Sequence, residues 1–171
     1  MLRLTSQDDE AGETYRDSGL EAAVVTESLL IRRRPPRSSA MTLLHSQGLP
    51  ALDITDEHLE HFFFTGSDGS PTGLVGIELH GADGLLRSLI VAESTRTRGI
   101  GSALVQHVEG YAAAHQVSAL YLLTTTAEDF FERRGYRRVD RSLSPPRIKS
   151  TREFAQLCPA NSAFMTKRLP R

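Results

Sequence analysis

The first stretch with a clear pattern of apolar positions is residues 22–31, which are rich in apolar and β-branched side chains. The run stops at the arginine and proline cluster of residues 32–36, so it predicts a strand that ends in a turn. Ser38 or Ser39 can then cap a short helix, and Gly48 is typical of a helix end. This part of the chain therefore predicts a strand followed by a helix.

A second short helix is predicted to begin near Thr55. Its side chain and that of His58, three residues on, form a weaker version of a capping box. Leu59 and Phe62 would supply the apolar face of this helix. Residues 67–71 then have the composition of a turn.

The middle of the chain predicts a pair of strands and the longest helix. Residues 72–80 and 85–92 read as strands, and the intervening residues 81–84 are a hairpin signal. Apolar residues recur at three- to four-residue spacing from Ile100 to about His115, which predicts an amphipathic helix.

The last third of the chain alternates short strands and helices. Residues 119–123 and 136–139 predict strands, and residues 127–134 predict a short helix between them. Residues 151–157 look helical, and residues 163–169 can close the sheet. The whole pattern predicts an α/β fold, a mixed sheet with helices on both faces.

The composition fits one ordinary soluble domain. The chain has 171 residues, of which 39% are hydrophobic and 24% charged. We expect a single domain over residues 21–171, preceded by a disordered tail at residues 1–20, where polar residues show no periodicity. One cysteine cannot form an intrachain disulfide, which fits a reducing compartment.

Charge and hydropathy exclude several kinds of partner. The formal net charge of -1 gives no long-range field that would attract nucleic acid or an acidic membrane. The sequence contains no apolar leader at its start and no run of about 20 apolar residues. We therefore expect a cytoplasmic protein whose partners include neither nucleic acid nor membrane.

Residues 96–101, with the sequence RTRGIG, lie between a predicted strand and the longest predicted helix. A helix start presents unpaired backbone N–H groups and a partial positive charge, which suit a pyrophosphate. Gly99 and Gly101 allow close approach, and Arg96 and Arg98 add positive charge. A P-loop is absent, and Leu104 occupies the position of the third glycine of a dinucleotide fingerprint.

This Arg-x-x-Gly-x-Gly pattern after a strand ending LIV resembles the coenzyme A loop of the GNAT superfamily of N-acetyltransferases. The segment AEDFFERRGY resembles a second region of that superfamily. More narrowly, LLRSLIV, LYLLTTTAEDFFERRGY and PPRIKSTREFAQLCPANSAFMTK resemble acetyltransferases associated with arsenic resistance, with similarity to glutamate N-acetyltransferase domains. The resemblance implies a mostly antiparallel sheet splayed between its fourth and fifth strands, and a homodimer as one assembly.

The same resemblance implies acetyl-CoA as the cofactor and a small-molecule amine, an amino acid or its arsenic- or phosphorus-containing analogue, as the substrate. The backbone of one strand would pair with the pantetheine arm, and the N–H groups of residues 98–102 would hold the pyrophosphate. The implied cofactor-binding residues are Leu89, Ile90, Val91, Arg96, Arg98, Gly99, Ile100, Gly101, Ser102, Phe130 and Phe131.

Two charged residues on the predicted strands are candidates for the chemistry. Glu78 is the candidate base that deprotonates the amine, and an exposed strand carboxylate is the alternative. Arg87 can hold a substrate carboxylate by a pair of hydrogen bonds, and an ion pair with Glu78 is the alternative. Ser88 and Thr124 complete the predicted substrate-binding set.

The sequence departs from the superfamily pattern at two positions. Phe131 stands where a tyrosine often protonates the departing thiolate, and Thr124 stands where many relatives carry asparagine. Tyr121 and Tyr136 are substitutes for the acid, or core residues. The missing tyrosine keeps one alternative open, a coenzyme A-binding sensor or partner subunit without turnover. A third possibility is an enzyme that acetylates protein N-termini or lysines, which would need an open groove. Residues 144–159, however, resemble a lid over a small site.

No metal site is predicted. Cys158 is a lone thiol, whereas a soft metalloid normally recruits several thiolates. His58 and His61 share a helix face but lack the further ligands of a zinc enzyme.

Overall fold

The computed structural model describes residues 29–96 and 98–170. The predicted tail and most of the predicted first strand lie outside the described residues. The strands are β1 (Arg32–Arg33), β2 (Phe62–Gly66), β3 (Pro71–His80), β4 (Asp83–Val91), β5 (Ala119–Thr124), β6 (Arg137–Arg138) and β7 (Ala163–Arg168). The α-helices are α1 (Arg37–Ser46), α2 (Asp56–Leu59), α3 (Ile100–Ala114), α4 (Glu128–Glu132) and α5 (Pro146–Lys149).

The described strands form one seven-stranded sheet in the order β1-β2-β3-β4-β5-β7-β6. Neighbouring strands are antiparallel, except for the parallel pair β4–β5. That parallel pair is joined only over residues 83–85 of β4 and 119–121 of β5, so the remainder of each strand has no partner in the other. The predicted α/β fold, splayed between strands 4 and 5, is confirmed.

The sheet is covered on both faces because alternate residues of a strand point to opposite sides. Phe63 and Val75 pack in the cluster that contains the apolar stripe of α3. Phe62 and Phe64 pack on the opposite face, in the cluster that contains Leu44 of α1. The helices on both faces agree with the sequence prediction.

Two local predictions about helix ends are confirmed. The N–H of Gly48 donates to the carbonyl of His45, and the N–H of Leu49 donates to the carbonyl of Leu44, both at 3.1 Å. This paired pattern, with Gly48 at φ 65°, is a Schellman end to α1. At the start of α2, the Thr55 side chain and the His58 ring form the predicted capping box.

Other local predictions are wrong. Pro36 precedes α1 as its N-cap, so neither Ser38 nor Ser39 caps it. The first described strand is Arg32–Arg33 rather than residues up to 31, because these arginines pair with Phe64 and Phe63. Phe62 does not belong to the second helix but starts β2.

The sequence pattern does not predict β2, because it places Phe62 on the apolar face of the second helix. Residues 62–65 are all buried, on the two faces of the sheet in turn. All four pair with β3, and Phe63 and Phe64 also pair with β1. Such central pairing is decided by distant strands, which a local pattern does not contain.

Within the described residues, no helix combines the length and apolar character needed to cross a membrane.

Candidate active site

A bulge interrupts β4 beside the splayed region. Leu74 of β3 faces Ile90, but Gly76 faces Arg87, so β4 carries one extra residue between these pairs. Ser88 lies there with φ 57°, a left-handed backbone that non-glycine residues seldom adopt. A bulge bends its strand and leaves backbone groups outside the regular ladder. The bend therefore lies on the strand that borders the opening between β4 and β5.

A cavity of about 350 Å³ fills this opening. Its walls come from the loop after α1, from β4, from the end of β5 and the turn after it, from α4, and from the chain before β7. The lining residues are Gly48, Leu49, Pro50, Leu86, Arg87, Ser88, Leu89, Leu122, Leu123, Thr124, Thr125, Thr126, Ala127, Phe131, Glu153, Leu157, Cys158, Pro159 and Ser162.

Five of the predicted site residues meet on this cavity wall: Arg87, Ser88, Leu89, Thr124 and Phe131. The Thr124 hydroxyl accepts the N–H of Ala127 at 3.0 Å, so it also fixes the turn between β5 and α4. Phe131 is 3% exposed and presents a ring without a hydroxyl. Among the described residues, the cavity wall therefore has no tyrosine to act as the acid.

The two candidate substitutes for that acid are packed elsewhere. Tyr136 is buried and makes an edge contact with Phe131 at 5.3 Å between ring centroids. Tyr121 stacks on Phe164 at 5.5 Å. Neither lines the cavity, which agrees with the interpretation of both as core residues.

A second group of predicted residues surrounds the start of α3. Gly99 is the N-cap, with φ 76° and open space where a Cβ would stand. A Cβ on Gly101 would lie 3.4 Å from the Phe130 ring and 3.6 Å from Val91. The glycine therefore keeps a narrow gap between the end of β4, the start of α3 and α4. Ile100 is buried beneath them.

The polar side chains of this second group have protein contacts. Arg96 donates to the Val91 carbonyl at 3.2 Å and to the Gln47 side chain at 2.7 Å. The Ser102 hydroxyl accepts a hydrogen bond from Arg134, a residue that the sequence reading missed. The guanidinium of Arg134 lies 3.5 Å from the centre of the Phe130 ring.

The remaining cofactor candidates differ in exposure. Arg98 is exposed. Ile90 is buried in the cluster under α1, so its side chain points away from α3. Neither residue lines the cavity.

Arg87 is the centre of a buried cluster of charges, and its side chain has no exposed surface. Its guanidinium donates to both carboxylate oxygens of Asp53, at 2.5 and 2.8 Å, and to Glu78 Oε1 at 2.5 Å. Its Nε lies 2.7 Å from Glu153 Oε2. The structure therefore contains the ion pair with Glu78 that was the alternative for Arg87. The role of Arg87 in substrate binding stays a prediction.

The three carboxylates of this cluster differ in proton affinity. Burial alone would raise the pKa of Asp53 and of Glu78, but hydrogen bonds and the charge of Arg87 hold both below their usual values. Glu153 has the same cation nearby, yet burial, assisted by the charges of Glu78 and Asp53, raises its pKa to about 7. Glu153, the acid with the weakest hydrogen bonding, therefore stays protonated to the highest pH of the three.

Glu78 is buried rather than exposed, which departs from the alternative reading of that residue. Its Oε2 lies 3.3 Å from His80 Nε2, and its Oε1 contacts Arg87. It does not line the cavity, whereas Glu153 does. The role of Glu78 as a base stays a prediction.

Asp53 and Glu153 were not identified from the sequence. Asp53 was detectable as an acid between apolar neighbours in the string ALDIT. Glu153 begins a single π-helical turn, Glu153–Leu157, and nothing in its local pattern points to β4.

The three carboxylates also have oxygens within 4.8 Å of one another, a spacing that could hold a metal ion. The guanidinium of Arg87 already supplies the positive charge among them, so the donor set does not need a cation. Cys158, on the cavity wall, donates weakly to Glu153 Oε1 at 3.9 Å. Burial and then the charge of Glu153 raise the pKa of this thiol to about 12.

The comparison with known families identifies the class of protein. Residues 29–136 match the Acetyltransferase (GNAT) family, so the chain belongs to it. An uncharacterised N-acetyltransferase of Chlorobaculum tepidum is 31% identical over 93 residues, which cover 54% of this chain and 59% of that protein. The prediction of an acetyltransferase is confirmed at the level of the family.

Solved structures show the same fold. N-acetylglutamate synthase from Neisseria gonorrhoeae, complexed with coenzyme A and N-acetyl-glutamate, superposes with a TM-score of 0.71 at 21% identity. The alignment covers 84% of this chain and 35% of the synthase. Rv2747 from Mycobacterium tuberculosis, in complex with CoA and NLQ, has a TM-score of 0.66 at 19% identity, over 82% of this chain and 99% of that one.

Proposed function

We propose that this protein is an acetyl-CoA-dependent N-acetyltransferase that acetylates the primary amine of a small molecule by direct attack on the thioester. The observation that carries this proposal is the cavity between β4 and β5, which opens beside the bulge of β4. Such an opening offers room for an acyl group and an acceptor to meet, and the superfamily resemblance implies that the thioester lies there.

The start of α3 fits the diphosphate of acetyl-CoA. Its first N–H groups have no intrahelical partner, and the positive end of the helix dipole favours an anion. The left-handed Gly99 leaves open space, and Gly101 preserves the gap beside Phe130. Residues 98–102 would hold the diphosphate. Bound acetyl-CoA would supply the activated acetyl group.

The end of β4 would hold the pantetheine arm of acetyl-CoA. The backbone of Leu89, Ile90 and Val91 would pair with the pantetheine, as the superfamily resemblance implies. A backbone N–H at the bulge can polarise the thioester carbonyl as charge develops on its oxygen. Phe130 and Phe131 would pack against the arm, and Ser88 and Thr124 would border the acceptor.

The acceptor side of the cavity favours a small cationic amine. Leu157, Cys158 and Pro159 line the cavity together with β4 and β5, and a cavity of about 350 Å³ holds a small molecule rather than a protein segment. Two ionised carboxylates, Asp53 and Glu78, outnumber the one guanidinium of Arg87 before Glu153 is counted. The resulting negative charge attracts an ammonium group.

An amino acid or an amino acid analogue is the proposed acceptor class. The strings LLRSLIV and PPRIKSTREFAQLCPANSAFMTK support it through their resemblance to acetyltransferases linked to arsenic resistance and to glutamate acetylation. Arg87 would meet the acceptor carboxylate if one of its three acids moved away. The arsenic- and phosphorus-containing analogues of glutamate belong to the same class.

Thiol release with a panel of amines tests the proposal. The panel contains glutamate, glutamine, a phosphorus-containing glutamate analogue, the decarboxylated amine of each, and a short peptide. We expect acetyl-CoA-dependent release with small amines and less with the peptide. Equal rates of thiol release for each amino acid and its decarboxylated amine would exclude amino acids as the preferred acceptor class. Release with the peptide alone would contradict the small-molecule proposal.

The same assay addresses the sensor alternative, which Phe131 keeps open because its ring offers no acid on the cavity wall. Coenzyme A binding without release across the whole panel would favour a sensor.

A further inference from the structure

We infer that Glu153 is the catalytic residue that takes the proton from the acceptor amine, in place of the Glu78 that the strand pattern indicated. This inference rests on the proposed function, since it names the base of the same site. It concerns a residue outside the sheet, on a segment that lines the cavity.

The position of Glu153 is the first support. Among the described residues, it is the only carboxylate on the cavity wall. The residue is 7% exposed, so an amine in the cavity would meet it with little competing water. Its Oε2 is buried against the Nε of Arg87 at 2.7 Å, and its Oε1 has only the weak thiol contact of Cys158 at 3.9 Å.

The other two acids of the cluster are committed to protein partners. Asp53 receives both of its hydrogen bonds from Arg87. Glu78 uses one oxygen for Arg87 and the other for His80. Among the three acids, only Glu153 combines a place on the cavity wall with weak hydrogen bonding, so a substrate N–H can add a hydrogen bond that the protein does not supply.

The charges around Glu153 suit a base that works near neutral pH. Burial is the main reason that its pKa rises to about 7, and the neighbouring acids add to it. A general base is most effective when its pKa lies near the working pH. The charged and titratable groups that face it are Arg87 of β4, Glu78 of β3, Asp53 before α2, and Cys158 of its own segment.

The step conserves atoms and charge. The acceptor arrives as an ammonium ion and loses one proton to Glu153, which passes it to solvent. The nitrogen lone pair then forms the N–C bond to the thioester carbonyl carbon, and the C–S bond breaks with its electron pair on sulfur. The second nitrogen proton ends on that sulfur. The products are the N-acetyl amide, coenzyme A thiol and one proton.

Glu153→Gln, compared with Glu78→Gln, tests the inference on the full chain with an amine that the wild type acetylates. We expect kcat/KM of wild type to rise with pH through about 7 as Glu153 ionises, and to fall only at the higher pH where the ammonium acceptor itself loses its proton. Glu153→Gln should lower kcat/KM at pH 7 by about 10²–10⁴-fold and remove the rise near pH 7. Glu78→Gln should keep that rise, and Glu153→Asp should restore part of the rate.

A second readout does not depend on turnover. Carbon-13 NMR of the glutamate side-chain carboxyls should show one signal that titrates near pH 7 and disappears in Glu153→Gln. Saturating amine should lower that titration midpoint, because a nearby cation favours the ionised acid.

The outcomes separate this inference from the proposed function. If wild type releases no thiol with any small amine, the proposed function fails. If wild type is active and Glu153→Gln keeps both the rate, within threefold, and the rise near pH 7, the function stands and the role of Glu153 is overturned. Loss of the rise in Glu78→Gln alone would assign the base to Glu78.

Discussion

The two sides of the cavity are built in different ways. The sheet side consists of β4 and β5, whose backbone splays apart and bulges at Ser88. The opposite side is a chain of short turns that carries Glu153 and Cys158. The sheet side thus supplies the irregular backbone, and the other side supplies the carboxyl whose pKa is raised to about 7. Arg87 joins them, since it belongs to the sheet but binds Glu153.

Removing Arg87 should have the largest effect, because it breaks the link between the two sides. Arg87→Met leaves three buried carboxylates without their cation, and we expect a loss of about 3–5 kcal/mol in the free energy of unfolding. Urea denaturation measures this change. Arg37→Met is the matched control, since its pair with exposed Asp56 and its hydrogen bond to the Ile54 carbonyl should together be worth at most about 2 kcal/mol. A loss as small for Arg87→Met as for the control would show that the cluster does not hold the two sides together.

The pH dependence of the free energy of unfolding should distinguish Glu153 from Glu78. The folded-state pKa of Glu153 is raised from 4.5 to about 7, so its stabilising contribution is complete below pH 4.5 and is lost as pH rises through 7. Between pH 4 and pH 8, the free energy of unfolding of Glu153→Gln should therefore increase by about 3 kcal/mol relative to that of wild type. Denaturant midpoints across this range measure the difference.

Glu78→Gln is the control for that series, and it should show the opposite sign. The pKa of Glu78 is lowered, so its contribution is present above pH 4.5 and is lost as pH falls through its folded-state pKa. If the difference in unfolding free energy between wild type and Glu153→Gln did not change with pH, Glu153 would titrate in the folded protein as an ordinary surface acid does.

A substitution on the sheet side should weaken acetyl-CoA binding without changing the pKa of Glu153. A valine at Gly101 would press its side chain towards Phe130 and Val91 and close the gap there. We expect Gly101→Val to weaken acetyl-CoA binding about tenfold, or about 1.4 kcal/mol, by calorimetry. Gly110→Val, in the same helix where a Cβ meets nothing within 4 Å, is the control. Equal affinities for both variants would place the cofactor elsewhere.

The smallest effect is expected from restoring a hydroxyl on the cavity wall. Phe131→Tyr would offer an acid to the departing thiolate, but a thiol pKa near ~8.5 makes this group a tolerable leaving group without help. We expect kcat for thiol release to rise less than about tenfold. A gain of about a hundredfold would mean that the missing acid, and not the amine deprotonation, limits the reaction.

Much of the fold could be predicted because its signals are local. The stripe of α3, the Schellman end at Gly48 and the capping box at Thr55 each depend on residues within one or two turns. Gly99 and Gly101, at the start of α3, likewise indicated the proposed cofactor region. β2 was missed because its identity depends on pairing with β1 and β3, which lie elsewhere in the chain.

The candidate site was predicted only in part for the same reason. Ser88, Thr124 and Phe131 were found on the cavity wall because they belong to recognisable strands and a helix. Asp53 and Glu153 reach Arg87 across 34 and 66 positions of sequence, and no local spacing encodes such contacts. The chemistry of the site depends on those distant contacts.

The most direct test of the account is a crystal structure with coenzyme A and the N-acetylated product of the best amine. The account predicts the diphosphate at the N–H groups of residues 98–102 and the acetyl group beside the bulge at Ser88. It also predicts the amide nitrogen within hydrogen-bond reach, about 3 Å, of Glu153. Product bound outside the cavity, or its nitrogen turned away from residues 153–158, would contradict the account.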